Sequence, residues 1–117
     1  MNKVVLMGRL TKDPDVRIVQ GGEPLKIARY TLAVDRIRKG EADFVSCKAF
    51  GKAADFTEKY LRKGMKVCID GRIQTGSYDR DDGTRVYTTD VIVEHQEFCE
   101  RKQQDEFPDD VPEDLFA

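Results

Sequence analysis

The sequence predicts an all-β fold, a small five-stranded barrel of Greek-key type with a single helix set between its third and fourth strands. Three observations carry that expectation. Apolar residues alternate with a period of two through most of the first 98 positions. Only one segment, residues 52–64, shows a helical spacing. Glycine- and aspartate-rich breaks fall at the spacing of hairpins.

The first element is "KVVLMGRL" (3–10). It is apolar on both phases, with Val4, Leu6 and Leu10 on one and Val5 and Met7 on the other. A strand apolar on both faces is covered on both, and in a chain this small the second cover is expected to be another subunit. "TKDPD" is then read as a turn. "VRIVQGGEPLKIARYTLAVDR" reads as two strands around Gly21-Gly22, the second setting Tyr30, Leu32 and Val34 inward against Arg29, Thr31, Ala33 and Asp35.

A basic connection follows, "RIRKGEA" (36–42), and then "DFVSCKAFG". One phase of this strand, Val45, Cys47 and Ala49, is small and apolar and suits a core. The other phase carries Ser46 and Lys48, which mark it as wet, yet it holds Phe44 and Phe50 as well. Large aromatics on a wet face call for a cover. "KAADFTEKYLRKG" (52–64) is the helix, with Ala53, Phe56, Tyr60 and Leu61 on its apolar face and Gly64 as its stop. "KVCIDGRIQTGSY" (66–78) alternates with Val67, Ile69, Gly71 and Ile73 inward and Arg72, Gln74 and Tyr78 outward. "DRDDG" turns the chain into "TRVYTTDVIVE" (84–94), which adds Arg85 and Tyr87 on one phase. This order of elements is that of the oligonucleotide-binding barrel, the OB-fold, although other small antiparallel barrels with one helix share it.

Composition narrows the function. The 117 residues are 39% apolar and 36% charged, enough for one domain with its own core. The longest apolar run, Val4 to Met7, is far too short for a membrane span or a secretory signal. The expectation is a cytoplasmic protein that does not engage membranes. Cys47, Cys68 and Cys99 lack any paired zinc-ligand spacing, and His95 has no neighbouring cysteine, so neither metal nor cofactor is expected.

The net charge of −2 conceals an asymmetry. Six acids and no base follow Gln103, which leaves 20 basic and 16 acidic residues in positions 1–102, a net of +4. We therefore expect a domain at residues 1–99 and a disordered acidic C-terminal tail at 100–117. No nucleophile elbow, zinc-protease motif or phosphate-cradling glycine loop is present, and the chain is read as a non-enzyme.

Basic residues interleaved with aromatics on one wet face suit unpaired nucleic acid. Cationic groups track phosphates and flat rings stack under bases, each stack being worth about 1–3 kcal/mol without regard to sequence. Phe44, Phe50 and Tyr78 are the candidate platforms. Lys3, Arg9, Arg36, Arg38, Lys39, Lys48, Lys52, Arg72, Gln74 and Arg85 are the candidate polar contacts.

The strings "MNKVVLMGRLTKDPDVR", "YTLAVDR", "ADFVSCKAFGKAADF", "YLRKGMKVCIDGRIQTGSY" and "RVYTTDVIVE", in this order and spacing, resemble the bacterial single-stranded DNA-binding proteins. The resemblance implies an OB-fold homotetramer that wraps single-stranded DNA during replication, recombination and repair. It places base-stacking positions at Phe44, Phe50 and Tyr78 and a further one near Ile37, where this tryptophan-free chain has no ring. It also implies that the acidic tip recruits replication and repair proteins. Here that tip offers Asp109, Asp110, Glu113, Asp114, Leu115 and Phe116, followed by Ala117.

Overall fold

The computed structural model describes residues 1–99. The tail from residue 100 onward, including the expected partner-binding positions from Asp109 to Phe116, lies outside the described residues. The elements run β1 (Val4–Leu10), β2 (Asp15–Val19), β3 (Leu25–Asp35), β4 (Ala42–Phe50), α1 (Lys52–Tyr60), β5 (Lys66–Asp79) and β6 (Arg85–Phe98). The sheet runs β1-β5-β6-β4-β3-β2, and a further pairing of β1 with β3 closes it into a ring. All pairs are antiparallel except β4 with β6.

Six strands make a five-stranded barrel because β1 and β2 are two halves of one bent strand. Leu10 pairs with Leu32 of β3, and Asp15 resumes along the same edge of β3 opposite Arg29. "TKDPD" is thus a kink, not the reversal expected from its composition. Pro14 lacks a backbone donor and interrupts the ladder. Asp13 instead accepts the Lys63 backbone N–H at 2.8 Å, which ties the kink to the segment after α1. Counted this way, α1 lies between the third and fourth barrel strands, and the OB-fold expectation holds.

The helix is shorter than its sequence pattern. It ends at Tyr60 because Leu61 turns extended (φ −95°, ψ 135°) and drives its side chain fully into the core. Its buried residues are Ala54 and Thr57, and not the stripe of Ala53, Phe56 and Tyr60. Phe56 and Tyr60 cluster instead with Phe98 at the barrel's end, with ring centroids 5.0 to 6.3 Å apart. Small residues make room for the helix: Ala28 faces Ala49 across β3 and β4, and all three of Ala28, Ala49 and Ala54 are fully buried. Lys26 fastens the same region, its ammonium 2.6 Å from Glu58 and 2.9 Å from Asp55.

The core proper is Leu10, Leu32, Leu61, Val67, Ile69, Val91 and Val93 around Tyr30 and Cys47. Burying each of the large aliphatic side chains contributes roughly 1.5–3 kcal/mol. One polar network crosses it. The Tyr30 hydroxyl donates to Gln96 Oε1 at 2.7 Å, Gln96 Nε2 donates to the Ala53 carbonyl at 3.1 Å, and the Thr57 hydroxyl lies 2.9 Å from both acceptors. It links β3, β6 and α1.

The barrel wall ends before the long hairpin of β5 and β6 does. Inward residues are buried up to Gly71, where a bulge between Asp70 and Gly71 brings the chain so close to the Ile92 carbonyl that any Cβ would collide. Beyond it β5 is exposed on both faces, while Val91 and Ile92 opposite Ile73 and Arg72 are the last buried residues of β6 on that side. Ile73, expected inward, is accordingly 44% exposed. Asn2 braces the point of exit, exchanging two hydrogen bonds with the Ile73 backbone at 2.8 and 2.9 Å.

Candidate nucleic-acid interface

The outer face of β4 carries Phe44, Ser46, Lys48 and Phe50, while Cys47 and Ala49 on the other phase are fully buried. Strand register extends that face sideways. Across from it on β3 lie Ala33, Thr31, Arg29 and Ile27. On the other side Lys48 adjoins Ile92 of β6, which faces Arg72 of β5, and Asp90 faces Gln74. The same phase runs out along the hairpin through Thr88 opposite Gly76 to Val86 opposite Tyr78. Phe44, Phe50 and Tyr78 therefore share one continuous surface with Lys48, Arg72 and Gln74.

Phe44 is 70% exposed and Tyr78 53%, whereas Phe50 is half-buried beside the start of α1. Phe44 and Phe50 stand towards opposite ends of β4 and Tyr78 near the far end of β5, which favours stacking over mutual packing. Ile92 is buried although its phase points outward, between Lys48 and Arg72 in register. It forms an aliphatic floor to the polar strip.

The cations divide into those on this surface and those away from it. Arg72 donates to Gln74 Oε1 at 3.0 Å, so two expected contacts are pre-oriented by each other. Lys52 opens α1 directly after Phe50 and Gly51. In the β3–β4 connection Arg38 and Lys39 are exposed beside Phe44's end of β4. Arg36 is engaged with Asp43 at 2.6 Å and with Glu41, and its guanidinium holds the Asp43 carboxyl below its ordinary range. Lys48 is likewise paired, 3.3 Å from Asp90.

Three expected contacts lie elsewhere. Arg85 belongs to the phase of Tyr87 and Val91, opposite to Tyr78, and pairs with Asp79 at 3.2 Å. Lys3 precedes β1 and reaches Asp70 at 3.1 Å and Glu94 at 3.9 Å. Arg9 lies at the far end of β1, donating to the Gly64 carbonyl at 2.9 Å. Conversely, Arg29 is exposed directly across from Lys48 and belongs to the face. Its outward phase was legible, but only the pairing of β3 with β4 puts it beside the rings.

A barrel of this topology with aromatic and cationic groups on its second and third strands and its last hairpin has the layout by which OB-folds take oligonucleotides. The model of the single-strand binding protein family matches residues 1–99. The chain belongs to the single-strand binding protein family. Relatives in the family include a single-stranded DNA-binding protein of Clostridium perfringens, 54% identical over 101 residues that cover 86% of this chain and 67% of the relative. Single-stranded DNA-binding protein 3 of Clostridium acetobutylicum is 48% identical, covering 86% and 72%. The protein of that same name from Listeria innocua is 44% identical, covering 88% and 66%. The chain thus spans about two thirds of the length of these family members. Among the described residues no helix is long and apolar enough to cross a membrane.

Proposed function

We propose that this protein binds single-stranded DNA without regard to sequence and performs no catalytic step. The observation that carries the reading is the single surface on which register assembles Phe44, Phe50 and Tyr78 around Lys48, Arg72, Gln74 and Arg29. The names of its family relatives support it. Bases stack on the rings, and the guanidinium and ammonium groups follow the phosphates. Arg38, Lys39 and Lys52 extend the track beyond either end of β4, with charge standing in for a ring at Ile37. Duplex DNA is excluded because its bases are not free to stack.

On this reading the protein coats and protects single strands in the cytoplasm, at the nucleoid, during replication, recombination and repair. Copies associate as a homotetramer through the outer face of β1, where Val5 and Met7 are 70% and 49% exposed in one chain. The acidic tip with Leu115 and Phe116 recruits replication and repair proteins, and at low salt it competes with DNA for the basic surface.

A titration of oligo-dT against duplex of equal length, across salt, tests the proposal. Strong preference for dT is expected, with log K falling by about 0.7 per phosphate contact for each decade of salt. Equal affinity for duplex would overturn it.

A further inference from the structure

The long hairpin of β5 and β6 carries Arg72, Gln74 and Tyr78 of the candidate surface, yet much of it stands clear of the barrel. Among the described residues, the hydrogen bonds and ion pairs of residues 74–89 all close within the hairpin itself. The pairing of β5 with β1 ends at Gly71 opposite Val4. Along this edge of β5, one residue bonds past that point, and it is Asn2. Continued by two residues, the register of β1 with β5 sets Asn2 opposite Ile73. There its side chain makes the pairing in place of its backbone. The Asn2 Nδ2 group donates to the Ile73 carbonyl at 2.8 Å, and Oδ1 accepts the Ile73 N–H at 2.9 Å.

We propose that Asn2 is a positioning residue for DNA: its carboxamide fixes the direction in which the hairpin leaves the barrel, and with it the places of Arg72, Gln74 and Tyr78. The inference rests on the single-strand reading above. A carboxamide carries a donor and an acceptor side by side, as the peptide groups of a neighbouring strand do. It gives Ile73 the two partners that a longer β1 would supply. Ile73 lies between Arg72 and Gln74, whose side chains share the opposite phase, that of the rings. Holding both backbone groups of Ile73 therefore sets the Cβ directions of its two neighbours. The hydrogen bond between Arg72 and Gln74, at 3.0 Å, forms on the segment so fixed.

Tyr78 is the fifth residue after Ile73. At about 3.3 Å per residue it stands roughly 16 Å from the brace, where a pivot of about 10° displaces it by about 3 Å. That approaches the ~3.4 Å spacing of successive bases. Without the brace the hairpin samples several directions, and affinity falls by the fraction of time spent in the binding one. A hairpin aimed correctly one fifth of the time binds about fivefold more weakly.

Asn2→Ala in the full chain tests this with two measurements. In the free protein, amide hydrogen exchange across residues 74–89 should quicken, while the ladder of β3 with β4 exchanges as in the parent. By anisotropy of labelled oligo-dT, Asn2→Ala should weaken binding about fivefold, both alone and combined with Phe44→Ala. Combined with Arg72→Ala and Tyr78→Ala together, it should add less than about a twofold loss, because the groups it aims are gone. A residue that merely supports the barrel would lower affinity alike in both backgrounds, and that result would overturn the proposal. So would parental dT affinity, or unchanged exchange in the hairpin, in Asn2→Ala. A parent that bound dT no better than duplex would overturn the single-strand reading instead, and the positioning role with it.

Discussion

Lys48 and Asp90 confront each other across the parallel junction of β4 and β6, ammonium 3.3 Å from carboxylate, in the middle of the surface that carries Phe44 and Tyr78. The pair is only partly open to solvent, the two side chains being 26% and 13% exposed. A phosphate arriving at Lys48 has to share it with an acid that is already there. Asp90→Asn would release the lysine and remove a negative charge from the track. Tighter binding of oligo-dT is expected, with the slope of log K against log salt steeper by about 0.7, one added phosphate contact. Fluorescence titration at several salt concentrations measures both.

The exposed rings should account for affinity without supporting the fold. Phe44→Ala and Tyr78→Ala should each weaken dT binding by about 1–3 kcal/mol, the range for loss of one stacked base. The thermal midpoint should stay within about 2 °C, because surface substitutions outside special contacts move stability little. Phe50 is half-buried, so Phe50→Ala should lower both affinity and midpoint. A Phe44→Ala protein that binds dT like the parent would remove this ring from the interface.

Much of this surface was legible in the sequence, and for a physical reason. Period two fixes which side chains share a face of one strand, and it put Phe44, Ser46, Lys48 and Phe50 opposite a core of Cys47 and Ala49. It also sent Tyr30 inward. What period two does not carry is how strands neighbour one another or where a wall stops. Arg29 joins the site, and Arg85 leaves it, through pairings that no single segment encodes. Ile73 keeps the inward phase of Val67 and Ile69 but lies past Gly71, where the hairpin has left the barrel. The kink at Asp13-Pro14 has the composition of a reversal, and only its return to the same edge of β3 distinguishes the two. The helix likewise hides its end, since Leu61 continues the apolar spacing while its backbone has already turned extended.

The buried network is another feature that hydrophobic pattern misses, and it should respond unequally to mutation. Tyr30→Phe removes one donor to Gln96 Oε1 while the Thr57 hydroxyl still reaches that oxygen at 2.9 Å. A loss of about 1 kcal/mol in unfolding free energy is expected, near the average for one hydrogen bond. Gln96→Leu leaves the Tyr30 hydroxyl without its acceptor and takes a donor from the Ala53 carbonyl, so it should cost about 2–4 kcal/mol. Urea unfolding measures the difference. Binding of dT by the folded fraction should be unchanged in both.

Association of copies through β1 gives a separate prediction. Val5 and Met7 project from the outer phase, with Met7 directly across from Cys68. Met7→Glu places a charge where the proposed contact is apolar, and an unpaired charge in such a contact opposes association strongly. Light scattering should show smaller particles at equal concentration, with the far-ultraviolet spectrum of the barrel retained. Unchanged mass would move the interface elsewhere.

Asp70 ties the two ends of this region together and should make it sensitive to acid. Its carboxylate meets His95 Nδ1 at 2.8 Å and Lys3 Nζ at 3.1 Å. The hydrogen bond with His95 first, and that with Lys3 second, hold its carboxyl below the ordinary range. A carboxyl whose pKa is lower folded than unfolded binds fewer protons in the folded chain. Its contribution is therefore complete above the unfolded value of about 3.9 and disappears as the pH falls through the depressed folded value. Asp70→Asn removes that proton linkage. Between about pH 5 and pH 2 the parent should lose stability more steeply than Asp70→Asn, so that the gap between their urea midpoints narrows with acidification. A gap that stays constant over this window would mean that the contacts with His95 and Lys3 do not favour the charged carboxylate in solution.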